Sequence, residues 1–174
     1  EEDKIPADSA IIDDEEAVSI IADYRNEDEE GVTRDFNRYK GYQTIIFFQH
    51  FIYQMEHQHP WKYYLHPESF TDDDREAIKQ ICKSQKREYN EQAVIDIYHH
   101  AQQYMDEANV PGLDAKTADR IRVLLWKMYY AGCYAQYKEE NHLLDFEDLL
   151  LKTYDIYSTD DTCKRYKWIQ VDEV

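Results

Sequence analysis

Residues 114–150 read DAKTADRIRVLLWKMYYAGCYAQYKEENHLLDFEDLL. Asp114 or Thr117 can cap a helix here, and Ile121, Leu124, Leu125, Met128, Ala131 and Ala135 recur at three- and four-residue spacing. That period predicts one amphipathic helix running to about Glu140. Asn141-His142 breaks it. Asp145 then caps a short helix from Phe146 to about Tyr157, with Asp148 three residues on as its reciprocal partner. The stretch thus sets two helices end to end across a polar break.

The same pattern extends outward. Asp13 or Asp14 can cap a first helix, with Ala17, Val18, Ile20, Ile21 and Tyr24 on one side. Asn26 to Gly31 is a charged break. A long helix is expected from about Thr33 to Glu56, with Phe36, Tyr39, Ile45, Phe48, Phe51, Ile52 and Met55 as its apolar stripe. His59-Pro60 ends that segment, because the residue before a proline avoids helical angles. Thr71 can cap a third helix that begins with Asp72, Asp73 and Asp74 at its positive end. Asn90 caps a fourth, with Ala93, Val94, Ile97, Ala101, Tyr104 and Met105 on its buried face. Pro111-Gly112 is a turn. Near the end, residues 167–172 (Lys-Trp-Ile-Gln-Val-Asp) have the apolar character of a strand covered on both faces, as in a parallel sheet.

The chain has 174 residues, 37 Asp+Glu against 20 Lys+Arg, and a formal net charge of −17. That length suits about one domain with a real core. An apolar share of 43% argues against global disorder. Four glycines are too few for a loop-rich β-sandwich or a self-contained nucleotide-binding domain. Residues 1–30 hold 13 acids and 2 bases, a net of −11, so residues 31–174 carry only −6. The acidity is mainly an N-terminal feature. It argues against the whole surface being a nucleic-acid footprint. Cys82, Cys133 and Cys163 are too few and too scattered for a disulfide framework or a zinc ribbon, and fit a reducing compartment. No apolar run approaches a membrane span, and no signal peptide is present, so a cytoplasmic protein without a membrane partner is expected. The absence of a starting Met and the ending at Val174 read as cut ends.

Two motifs carry chemistry. The first is the strand ending in Val171-Asp172-Glu173, a pair of carboxylates where α/β sheets bind ligands. The second is Asn141 to Leu150, about 20 residues before it. Together they resemble the UvrD/Rep/PcrA-type superfamily 1 DNA helicases, in which an N-x-L-D-F-D-D-L helix leads into a Walker B strand ending D-E-x-Q-D. Residues 9–17 are similar to that family's entrance into subdomain 1B, and Tyr137 to Asn141 to its exit helix. Residues 33–115 match only in helical character.

The resemblance implies a mainly α fragment: a multi-helix 1B-like subdomain over 1–142, then a helix and one strand of an incomplete α/β ATPase core, subdomain 1A, over 143–174. It implies that the parent protein moves 3′→5′ on single-stranded DNA and unwinds duplex DNA with ATP and Mg²⁺. Asp172 would hold the Mg²⁺ and Glu173 would activate water as the catalytic base. Asp145, Phe146, Asp148 and Leu149 would be a structural brace. The sequence departs from the family at Glu147, where Asp is commoner, and at Val174, where many relatives have an aromatic. The segment between the motifs is a few residues short. There is no phosphate loop: Gly112-Leu113-Asp114-Ala115-Lys116-Thr117 lacks the glycine before lysine. The fragment alone is therefore expected to hold no ATP or Mg²⁺ and to be inactive.

Lys79, Lys83, Lys86 and Arg87 recur at helical spacing on the expected third helix, with Arg75 one turn earlier, and are candidates for DNA phosphate contact. A solvated basic face has the same pattern. His50, His57, His59 and His66 with Glu56 invite a metal reading, but His57-Gln58-His59 is not a helical ligand pair and no cysteine is near. The many tyrosines suit base stacking or, at core spacing, amphipathic packing. The strand at 167–172 would lack its neighbours in a fragment. It would either pair with a second copy in a strand-mediated homodimer or pack irregularly on the helices. The alternative to the helicase reading is a non-enzymatic, acidic helical module that binds a protein partner.

Overall fold

A computed structural model describes residues 5–60, 64–107, 112–159 and 167–172. The chain is mainly α. Its elements in order are β1 (Ala10–Ile11), α1 (Asp14–Tyr24), α2 (Glu29–Arg34), α3 (Phe36–Glu56), α4 (Asp72–Ser84), α5 (Glu91–His99), α6 (Ala101–Glu107), α7 (Ala115–Glu140), β2 (Leu143–Leu144) and α8 (Phe146–Thr159). No helix among the described residues is long and apolar enough to cross a membrane.

Side-chain caps set most helix starts. Asp13 accepts from the Glu16 amide while the Glu16 carboxylate accepts from the Asp13 amide. Thr71 and Asp74 make the same reciprocal pair at α4. Asn90 caps α5 through the Ala93 amide, and Asp114 caps α7 through the Thr117 amide. Each cap satisfies a donor that the helix itself leaves open, which is worth about 1 kcal/mol.

The helices pack around α3 and α7. On one side the two helices join α4, α5 and the turn before α4 in a core that includes Phe48, Phe51, Ile52, Ile78, Ile97, Leu124, Leu125 and Met128. On the other side they join α1 and α2 around Val18, Ile21, Val32, Ile46 and Tyr134. Both helices therefore bury more than one face. Lys127 reinforces the first core from α7. Its ammonium contacts Asp74, donates to the Ser69 carbonyl at 2.6 Å, and lies 4.9 Å from the Phe48 ring centroid.

Four local expectations need correction. The charged break at 26–31 contains the start of α2, because Asp28 caps it by accepting from the Glu30 amide. Asp35 then ends α2 and caps α3, so the long helix begins at Phe36 rather than Thr33. Phe36, placed on the buried stripe by its period, sits in the first turn and is 73% exposed. The expected fourth helix is two: α5 ends with His100 as its C-cap, and α6 follows.

A further correction concerns the strand. Residues 167–172 form neither strand nor helix, and Trp168, Ile169 and Val171 are exposed. A strand needs a neighbour to take up its backbone donors and acceptors, and among the described residues none pairs with it. The only sheet among the described residues is a parallel pair, with Ala10 opposite Leu143 and Ile11 opposite Leu144. The Ala10 amide donates to the His142 carbonyl at 2.9 Å and the Ile12 amide to the Leu144 carbonyl at 2.8 Å. This pairing joins the start of the helical body to its end.

The packing separates Leu124, fully buried on α7, from Phe36 on α3. Leu124→Ala is expected to lose about 2–5 kcal/mol of unfolding free energy in urea titrations. Phe36→Ala should stay within about 0.5 kcal/mol of the wild type. Equal losses would show that the α3 boundary is misplaced.

Candidate functional site

The turn from β2 into α8 builds a buried polar cluster. Asp145 and Asp148 form the expected reciprocal box: the Asp148 amide donates to Asp145 Oδ1 at 2.9 Å and the Asp145 amide to Asp148 Oδ2 at 3.0 Å. Both carboxylates are buried, and so is Lys138 from the last turns of α7. The Lys138 ammonium donates to Asp145 Oδ2 at 3.0 Å, to Asp148 Oδ2 at 2.7 Å and to Gln49 Oε1 at 3.0 Å. The Tyr134 hydroxyl, one turn earlier on α7, donates to Asp145 Oδ2 at 2.6 Å. α3, α7 and α8 thus meet on two carboxylates.

His50 completes the group from α3. Its Nε2 lies 2.9 Å from Asp145 Oδ2 and its Nδ1 3.8 Å from Asp148 Oδ1. The contact is close but poorly directed, since neither ring nitrogen has a hydrogen-bond partner. Burial alone would raise the Asp145 carboxyl. The contacts with His50, Lys138 and Tyr134 outweigh it and hold that carboxyl well below the usual carboxylate range. Burial, followed by the nearby Asp145 carboxylate, pushes the Tyr134 hydroxyl far above its ordinary range.

Clefts open on the body formed by the described residues. One, of about 530 Å³, has Gln49, Lys138 and Asp148 among its lining residues, with Tyr53, His57, His99 and Lys152 around them. It brings the cluster to the surface. Another, of about 580 Å³, is lined by Arg25, Arg38, Arg120, Trp126 and Tyr130 among others. Its cations already face carboxylates: Arg25 and Arg38 both lie 3.6 Å from Glu27, and Arg120 lies 3.0 Å from Asp73.

The residues singled out in the sequence fall in three places. Asp145 and Asp148 are in the cluster, whereas Phe146 is exposed and Leu149 half-buried beside it. Asp172 is exposed in the irregular stretch, and Glu173 lies outside the described residues. The basic set does not make one stripe. α4 ends at Ser84, Lys86 follows with a left-handed backbone, and Arg87 turns to Asp96 at 2.6 Å. Lys79 pairs with Glu76 at 2.9 Å, while Lys83 and Lys86 are exposed.

The four histidines grouped by sequence do not converge on one point with Glu56: the His57 and His59 ring centroids stand 6.3 Å apart beside Tyr53. The His57 ring stacks on Tyr53, His59 contacts Asp155, and His66 stacks on Phe47. Glu56 instead meets His99. What sequence reasoning missed is the convergence of His50 and Lys138 on Asp145. Its one trace is a histidine inside the apolar run of α3, with Phe48, Phe51 and Ile52 around it.

The cluster makes two measurable demands. Lys138→Met leaves two buried carboxylates without their fixed cation, and should cost about 3–5 kcal/mol of unfolding free energy. A loss under about 1 kcal/mol would remove the cluster as a determinant of the fold. Because the folded Asp145 carboxyl lies below its unfolded value, its stabilisation is complete above about pH 5 and is lost as the pH falls through about 4 and below. Urea midpoints measured across that range should drop more steeply for the wild type than for Asp145→Asn; parallel acid limbs would contradict the assignment. No family model, curated protein or solved structure matches the chain.

Proposed function

We propose that the chain is a helical, 1B-like subdomain together with the first returning piece of the ATPase core of a superfamily 1 DNA helicase. The observation that carries this reading is the parallel pairing of Ala10–Ile11 with Leu143–Leu144. Parallel strands belong to larger sheets covered on both faces. A helical body whose two ends pair in parallel has the geometry of an insertion that leaves a sheet and re-enters it next door. Uncovered apolar surface adjoins that junction. Phe146, Leu150 and Tyr154 are exposed at four-residue spacing along α8, and Ile11 is exposed on β1. Further strands and helices of a core would cover them, and would supply neighbours for residues 167–172.

In this reading Asp172 holds Mg²⁺, Glu173 activates the attacking water, and the phosphate loop comes from elsewhere in the parent. Asp145 and Asp148 brace the junction. The exposed Lys83 and Lys86 are the basic residues best placed to meet DNA phosphates, since Lys79 and Arg87 already have carboxylate partners. Such a protein works in the cytoplasm, where the free thiols of Cys82 and Cys133 stay reduced.

The rival, a non-enzymatic interaction module, would use the same apolar face for a protein partner. ATP turnover separates the two. The full-length product of the gene should hydrolyse Mg-ATP in the presence of single-stranded DNA, and Glu173→Gln should lower kcat by about 10²–10⁴-fold. The 174-residue chain alone should show none. A full-length protein without DNA-stimulated turnover, or turnover by the isolated chain that Glu173→Gln abolishes, would sink the proposal.

A further inference from the structure

Most charged clusters of the described chain resolve into pairs. Tyr53 and His59 share Asp155, Lys127 meets Asp74, and Arg120 meets Asp73. The group at the start of α8 does not resolve. His50 is 0% exposed, yet both of its ring nitrogens lack a hydrogen-bond partner. An unsatisfied buried polar group costs about 1–3 kcal/mol. An imidazole nitrogen that makes no directed hydrogen bond is a potential metal ligand.

The neighbouring carboxylates supply the other ligands. One donor atom each from His50, Asp145 and Glu147 lie within 4.8 Å of one another. Atoms bound to one Zn²⁺ at about 2.0–2.2 Å stand roughly 3–4 Å apart, so closing the set needs the side chains to draw together and Asp145, which already accepts from Lys138 and Tyr134, to share its carboxylate with the ion. The Nε2 of His50 and Oδ2 of Asp145, at 2.9 Å, are already near that spacing. Glu147 is also held by His66, whose Nε2 lies 3.4 Å from Oε1 while its ring stacks on Phe47 at 3.7 Å. Carboxylate ligands held in this way by an outer partner are characteristic of metal sites.

The local charge points the same way. Asp14, Asp145, Glu147 and Asp148 gather at this junction, and Lys138 is the fixed cation on two of them. Four carboxylates around one ammonium leave an excess of negative charge that a cation relieves.

The geometry points to a divalent transition-metal site formed by His50, Asp145 and Glu147, of the class that takes Zn²⁺. One imidazole and two carboxylates suit Zn²⁺ or Mn²⁺; the absence of thiolate disfavours Cu(I), and the imidazole disfavours Ca²⁺. The ion would pin α3 to the first turn of α8, beside the Lys138 brace. It is a different site from the Asp172 Mg²⁺ position and uses neither Asp172 nor Glu173, so it stands or falls apart from the helicase reading.

Calorimetric titration of the metal-stripped chain with Zn²⁺ tests this, with Co²⁺ as a spectroscopic probe. One Zn²⁺ should bind per chain with a Kd on the order of 1 μM or tighter, and Co²⁺ should show the visible bands of a nitrogen- and oxygen-ligated ion. Glu147→Gln, at a half-buried position where the fold should survive, should weaken Zn²⁺ by at least ~10-fold. His50→Gln should weaken it further, and Asp172→Asn should leave it unchanged. Melting curves without metal show whether each variant is folded. Zn²⁺ binding no tighter than about 1 mM overturns the site. So does Zn²⁺ affinity that survives Glu147→Gln and is lost instead in a His57→Ala, His99→Ala variant, which would place the ion in the neighbouring cleft.

Discussion

The ammonium of Lys138 is the point on which the described structure turns. It is buried, it comes from α7, and it holds Gln49 of α3 together with the two carboxylates that begin α8. Removing two carboxylates from water is costly, and only a well-directed set of partners offsets it. Here the partners are an ammonium, a tyrosine hydroxyl and two backbone amides of the helix that the carboxylates themselves cap. The same side chains therefore start α8, fix its position against α3 and α7, and hold β2 where β1 can pair with it. Apolar packing alone would leave that position loosely specified, because α8 buries few residues and shows a broad apolar face to solvent.

The rest follows from α3 and α7. Each is long and packs on more than one side, so the two cores share them. That arrangement explains why neither helix has the single clean stripe of a surface helix. It also explains why polar residues such as Gln49, Gln54 and His50 occur inside α3: they face the seams where helix termini and loops approach. Gln54, for example, accepts from the Leu65 amide at 2.5 Å.

Much of this was legible in the sequence. Caps at Thr71, Asn90 and Asp145, and a choice of Asp13 or Asp14 and of Asp114 or Thr117, marked the starts of five helices, because a short polar side chain before an apolar period has one good local use. The reciprocal Asp145–Asp148 box was legible for the same reason. What was not legible depends on distant partners. Residues 10–11 and 143–144 are too short to show strand periodicity, and their pairing depends on the folding of everything between them. Residues 167–172 have the composition of a strand and, among the described residues, no strand paired with them. Phe36 obeys the helical period but falls on the first turn, where no second layer reaches it. The meeting of His50, Lys138 and Asp145 joins positions from three elements, and a single sequence records none of those distances.

The β1–β2 pair also bears on the order of folding. Residues 12–142 lie between its two strands, so forming it closes a loop that contains almost the whole helical body. Closure of so long a loop carries a large entropic cost when the intervening chain is disordered, and a small one once the helices have brought the ends together. The strand pair is thus a late event, a clasp that shuts after α3 and α7 have packed. Its slow step would be the assembly of the helices, and its opening would release both ends of the chain without unfolding the middle.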